Sequence, residues 1–242
     1  MTKIIAISNF KGGVGKTTST VNIGAALARA GKKTLLIDLD PQFNLTRCVG
    51  VRSEQSIYGA LRGDYPAPIV ERSLNLHVLP SALELIKAES EFVSEYKREE
   101  KLNHLLKPIA PQYDFILIDC PPSLGVLSQL AYTSADLIFV PVQSEYLALT
   151  GYGVLNEALD RIGLEIDAAF VTQYDQRQIL DRSILEKLRS TISDKLLNAI
   201  IRQNVAVAEA TTRGETIFEY AANSNGANDY KALAEEILTK FL

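Results

Sequence analysis

The chain has 242 residues, of which 47% are hydrophobic and 22% charged, with a formal net charge of −4. This composition excludes a disordered or fibrous protein, and the negative balance confines any nucleic-acid contact to a local patch. No uncharged apolar run approaches the ~20 residues that cross a bilayer, and the apolar stretch near the N-terminus is too short for a secretory leader.

Along the chain, apolar β-branched runs alternate with helix-period stretches. The runs predict strands over Lys3–Ser8, Thr34–Asp38, Leu76–Leu79, Phe115–Asp119, Leu137–Val140, Ala168–Thr172 and Asn198–Ile201. Helical patterns lie between them, clearest over Thr17–Ala30, Leu124–Thr133, Leu147–Ile162 and Ser183–Ile192. Runs such as FILID and TLLID are apolar on both faces, as strands between two helix layers must be. The alternation implies an α/β fold, a doubly wound and mostly parallel sheet flanked by helices, with ligands at the carboxyl ends of the strands.

Ser81–Lys107 is helical in propensity and rich in charge, and is expected as two surface helices. Asn223–Asp229 (NSNGAND) reads as a turn before a last helix, whose Tyr230, Leu233, Ala234, Ile237, Leu238 and Phe241 form a core-facing stripe. No linker, repeat or low-complexity segment divides the chain, so residues 1–242 read as one domain. Cys48 and Cys120 are widely spaced and outside any CxxC pairing, which argues against a disulfide scaffold or zinc site and fits a reducing cytoplasm.

The first strand runs into KGGVGKTT, comprising Lys11, Gly12, Gly13, Val14, Gly15, Lys16, Thr17 and Thr18, and a helix follows at once. The glycines let the backbone curl with its N–H groups inward, and the helix adds its positive dipole end to the same phosphate pocket. Lys16 supplies a point charge to the β/γ-phosphates, and the Thr17 hydroxyl is a ligand for Mg²⁺. The strict pattern G-x-x-x-x-G-K-[ST] fails at one place, where Phe10 stands for the first Gly. Asp119 ends one apolar strand, at the position of a Walker-B Asp that serves Mg²⁺. Asp38 and Asp40 stand at the tip of another, before Pro41. Hydrolysis needs such an acceptor to orient the attacking water.

KGGVGKTT at 11–18, DLDPQ at 38–42 and DCPPSLG at 119–125 resemble the ParA group of deviant Walker A ATPases. The likeness continues through PVQSEYLAL (141–149), VTQYDQR (171–177), IRQNVAVAEA (201–210) and the GANDYKALAEEIL ending. The resemblance implies an ATP-sandwich homodimer in which Lys11 reaches the partner subunit's phosphates. It also implies that Asp40 positions water, that Asp119 serves Mg²⁺, that Asp38 supports that metal shell, and that Ile201–Asn204, with Arg202, Gln203 and Asn204, lines the adenine. Non-specific DNA and a ParB-like or other cargo-bound activator protein are the implied partners.

Related proteins use the same engine for other cargo. The chain starts almost directly at the P-loop strand, so an N-terminal helix-turn-helix that reads an operator is not expected. The last helix sets Asp229, Glu235 and Glu236 against Lys231 and Lys240, a poor balance for anionic lipid. A MinD-like membrane-surface ATPase is thus the first rival. A metabolic or metal-carrier ATPase is the second, although neither cysteine suits a cluster at a dimer axis. For DNA, Arg182, Lys187 and Arg189 are the densest candidates, drawn from a wider set of Arg177, Lys195, Arg202 and Arg213. Asp181, Glu186 and Asp194 lie among them, so a solvated mixed-charge face is the competing reading. The chain departs from the family at Ala206 and Ala221–Ser224, where arginine-bearing motifs are usual, and at Phe43, where Gly is usual.

Overall fold

A computed structural model describes residues 1–145 and 148–242. Its eight strands are β1 (Lys3–Ile7), β2 (Thr34–Asp38), β3 (Val70–Ser73), β4 (Leu76–Leu79), β5 (Phe115–Asp119), β6 (Leu137–Gln143), β7 (Ala168–Tyr174) and β8 (Leu196–Arg202). They form one sheet of order β3-β4-β2-β5-β1-β6-β7-β8. All neighbours run parallel except β3, which pairs antiparallel with β4. Helices are α1 (Lys16–Arg29), α2 (Asn44–Cys48), α3 (Ile57–Arg62), α4 (Ala88–Glu91), α5 (Lys101–Leu106) and α6 (Val126–Ser134). They continue with α7 (Ala148–Asp160), α8 (Ile179–Thr191), α9 (Val205–Arg213), α10 (Ile217–Tyr220) and α11 (Asn225–Phe241).

Strand alternation splits the apolar side chains between two cores. Ile5, Ile7, Leu36, Phe115, Leu117, Phe139 and Phe170 face the layer built by α1 and α11. Ala6, Leu35, Ile37, Ile116, Ile118, Val140 and Val171 face the layer of α3, α5, α6, α7 and α8. Burial on both sides explains why these strands read as unbroken apolar runs. Register then sets Ile7, Asp38 and Asp119 side by side at one end of the sheet, where the chain turns back over the strand tips.

The structure departs from the sequence reading in several places. Strand β3 was not anticipated; its VERS sequence alternates half-buried with exposed residues on an edge, a weak signal. Ser81–Lys107 breaks into short 3₁₀ and α turns rather than two helices, and Leu85, Ala88, Phe92, Leu102 and Leu106 are buried in the core. The turn expected at Asn223–Asp229 is instead the start of α11, capped by the Ser224 hydroxyl, which accepts the Ala227 N–H. Gly226 fits there because a β-carbon would lie 2.4 Å from Val207 Cγ2. The helix predicted from Leu147 begins, as described, at Ala148; Leu147 lies outside the described residues. Ala227, Tyr230, Leu233, Ala234 and Ile237 of α11 are buried, so its stripe is core.

Candidate nucleotide site

The loop between β1 and α1 lies over the strand tips. Gly13 and Gly15 take φ of +79° and +87°, a left-handed backbone that favours glycine. The loop is pinned at several points. Asn9 accepts the Lys11 N–H through Oδ1 at 3.0 Å and donates through Nδ2 to the Pro141 carbonyl at 2.9 Å. From the end of β7, Thr172 Oγ1 donates to the Val14 carbonyl at 2.8 Å and Gln173 Nε2 to the Gly13 carbonyl at 2.5 Å. Gln173 itself adopts φ +54°, a conformation that costs a non-glycine residue energy and places its amide on the loop. Lys16 is buried, and its ammonium donates to the Lys11 carbonyl at 3.0 Å. Burial lowers the Lys16 pKa, with Asp119 the main opposing charge. Lys11 is half-buried and its ammonium pairs with the Glu145 carboxylate of the same chain.

The three predicted carboxylates differ sharply. Asp119 is fully buried, and neither of its carboxylate oxygens has a hydrogen-bond partner. Burial raises its pKa well above the carboxylate range, reinforced by Asp38 and opposed by the Thr17 hydroxyl and the Lys16 ammonium. An unpartnered buried carboxylate costs several kcal/mol of solvation unless a cation meets it. Asp38 is also buried, but it is satisfied: Oδ2 accepts the Thr46 hydroxyl at 2.7 Å and the Thr46 N–H at 2.8 Å, and Oδ1 the Asp40 N–H at 3.3 Å. Burial pushes its pKa to about 7 despite those donors. Its contacts hold the Asp40 turn and α2, rather than leaving it free to face a metal. Asp40 accepts the Gln42 N–H at 2.8 Å, and its carbonyl accepts the Ser81 hydroxyl at 2.9 Å. Phe43 completes this turn at φ +44°, a left-handed backbone that favours glycine, with the Arg47 guanidinium 5.2 Å above its ring.

Thr46 therefore carries much of the turn. Thr46→Val keeps the shape but removes the donor to Asp38 and the acceptor that the Ser81 N–H uses at 3.0 Å. The expected cost is ~2–4 kcal/mol, read in urea as a lower unfolding midpoint with unchanged slope.

Beyond the loop lies a crevice of about 380 Å³, lined by Gly15, Thr18, Thr172 and residues 201–205 and closed by Tyr230. The structure thus brings Arg202, Gln203 and Asn204 beside the phosphate loop. Arg202 is held back by Asp229, with Nη2 to Oδ1 at 2.6 Å and Nε to Oδ2 at 3.0 Å. Asn204 Oδ1 caps α9 by accepting the Ala206 N–H at 2.9 Å. The crevice therefore offers backbone and apolar surface to a flat ring.

The basic candidates are not gathered into one patch. Arg177 is bonded bidentately to Asp175, Lys195 is paired with Glu165, and Arg202 belongs to the crevice. On α8, Arg182 and Arg189 are seven residues apart and share a face. Lys187 lies on another flank, in a groove with Leu149, Leu180 and Ile184. With a 100° advance per residue, the three candidates on α8 do not share one flank.

Comparison with known proteins agrees with this geometry. The AAA domain family matches residues 2–172. The chain is 40% identical to the chromosome-partitioning ATPase Soj of Treponema pallidum, over 99% of this chain and 98% of that protein. This chain belongs to the ParA/Soj family of partitioning ATPases. Another ParA/Soj relative, the sporulation initiation inhibitor protein Soj of Bacillus subtilis, is 39% identical over 98% of each chain. The ParA/Soj chain also superposes on cobyrinic acid a,c-diamide synthase of Mycobacterium smegmatis, solved with ADP and magnesium. That match has a TM-score of 0.86 and 31% identity, and covers 98% of this chain and 94% of that one.

Sequence reasoning missed Asn9, Thr46, Ser81, Thr172 and Gln173. Each is a neutral polar residue whose partner is set by tertiary structure; Thr172 and Gln173 lie in VTQYDQR, but that likeness assigned them no role.

Proposed function

We propose that this ATPase is a nucleotide-driven positioning switch in the cytoplasm. Two ATP-bound copies close on each other and hold non-specific DNA, and a partner protein on the cargo stimulates hydrolysis and releases it. The observation that carries the reading is the single end of the sheet where the phosphate loop, the flat-ring crevice and the Asp38, Asp40 and Asp119 tips meet. Here the loop N–H groups and Lys16 bind the β/γ-phosphates, Thr17 and Asp119 hold Mg²⁺, and Asp40 orients water.

The residues fit that metal. Asp119 offers two buried, unpartnered oxygens, and Mg²⁺ characteristically takes one or two protein oxygens and completes its shell with phosphate and water. Bound there, Mg²⁺ neutralises charge on the phosphates. Among the described residues no group of three or more His, Cys, Asp or Glu side chains could hold a metal by itself, which accords with a site completed by substrate. Asp38 acts indirectly, by fixing the Asp40 turn through Thr46. Lys11 reaches across to the second subunit, which requires it to leave Glu145.

Against the membrane-surface rival, the apolar stripe of α11 is buried in the core, so it is not free to lie on lipid. Against the metabolic rival, the Soj relative is more similar in sequence, 40% against 31% identity.

DNA binding is expected to require ATP, ignore base sequence and weaken steeply with salt. Each phosphate contact contributes about −0.9 to the slope of log K against log salt. Replacing Arg182 and Arg189 with alanine should flatten that slope by up to about 1.8 per subunit while leaving dimerisation intact. Titration of both proteins on unrelated duplexes across a salt series decides it. Equal slopes place the DNA surface elsewhere, and absence of wild-type binding at low salt removes DNA from the reading.

A further inference from the structure

A cavity of about 810 Å³, larger than the crevice, opens between α2, the 3₁₀ turn Leu83–Lys87 and the C-terminal end of α9. Three exposed arginines line it: Arg47 and Arg52 on one wall, Arg213 on the other. Among the described residues none of the three has a carboxylate within ion-pair distance. Instead Arg47 lies 5.2 Å over the Phe43 ring and Arg213 lies 5.1 Å over the Tyr220 ring. Ring stacking holds a guanidinium plane in place while leaving its N–H fork available to a carboxylate or phosphate. Three like charges around one hole, in a chain of net −4, are a local excess that an anion relieves.

Two further features narrow the anion. Leu83 lines the cavity 57% exposed, and Ile86 on the same turn is 56% exposed. Glu84, also in the wall, repels a dense polyphosphate but accepts backbone N–H groups. A DNA duplex presents its phosphates on a convex cylinder, a poor match for a concave cavity. We propose that this cavity docks a segment of a partner protein that alternates acidic and leucine-like side chains. The carboxylates meet Arg47, Arg52 and Arg213, and the apolar side chains cover Leu83 and Ile86. The occupant touches Phe43 and Ser81, whose N–H and hydroxyl both donate to the Asp40 carbonyl, so it contacts the turn that carries Asp40. This inference stands apart from the proposed DNA cycle.

The probe is a short fluorescein-labelled peptide of alternating glutamate and leucine, followed by anisotropy on the full chain saturated with Mg-ADP to occupy the phosphate loop. Wild type is expected to bind it, more weakly as salt rises, and to ignore the lysine–leucine counterpart. Arg47→Ala with Arg213→Ala should weaken binding roughly 3- to 30-fold, as loss of two solvent-exposed ion pairs predicts. Arg182→Ala with Arg189→Ala should leave it unchanged. Retained Mg-ADP binding shows that the Arg47/Arg213 variant is folded. Equal peptide affinity in that variant, or no wild-type binding up to millimolar protein, overturns the proposal. So does a DNA duplex that displaces the peptide and is itself lost in the Arg47/Arg213 variant, which assigns the cavity to nucleic acid.

Discussion

Lys16→Ala is expected to abolish tight ATP binding, and with it any ATP-driven dimer. Lys16 is buried at the first turn of α1, and its ammonium now rests on the Lys11 carbonyl at 3.0 Å. Burial lowers its pKa and the neighbouring Asp119 opposes that shift; it has no substitute in its own loop except Lys11, which is bound to Glu145. A charge-assisted contact is worth ~1.5–3 kcal/mol and bridging two phosphates uses more than one, so affinity should fall by at least ~150-fold. Calorimetric titration with Mg-ATP measures this. An unchanged thermal melt without nucleotide shows that the fold survives, and affinity within about tenfold of wild type sinks the assignment.

Asp40→Ala should keep nucleotide binding and dimerisation but lower turnover by ~10²–10⁴-fold, the usual contribution of a group that accepts or directs a proton. Alanine also loses the contact to the Gln42 N–H, which could disturb the turn. Asp40→Asn separates the two effects, because its amide oxygen still accepts that N–H while its basicity is gone. Both variants should be slow, and both should scatter light as dimers with ATP. An Asp40→Asn protein with wild-type turnover, or an Asp40→Ala protein that stays monomeric with ATP, contradicts the role.

Much of the sheet was legible because strands buried on both faces have no polar alternation to obscure them. Thr34–Asp38, Leu76–Leu79 and Phe115–Asp119 could be bounded to the residue. The misses share a physical cause: local composition there was overruled by contacts far along the chain. NSNGAND has turn chemistry, yet Ser224 and Gly226 serve a helix start that packs on Val207. The 81–107 segment has helical charge patterning, yet burial of Leu85, Phe92 and Leu106 bends it into short turns. In the site, charged and glycine residues announced themselves through spacing. The hydroxyls and amides that hold them did not, since Thr172 meets Val14 across 158 positions and Ser81 meets Asp40 across 41.

The packing of α11 also bears on how the molecule is made. A ribosome delivers β1, the phosphate loop and α1 first, yet the apolar side of α1 is covered by α11, the last element, and Ser19 of α1 meets Tyr230 of α11 at 3.3 Å. Chains emerge N-terminal end first at ~5–20 residues per second, so the nascent α1 waits ~10–40 s for its cover. During that interval the apolar side of α1 that α11 covers stays open to solvent. Removal of α11 is therefore expected to leave one apolar side of α1 uncovered.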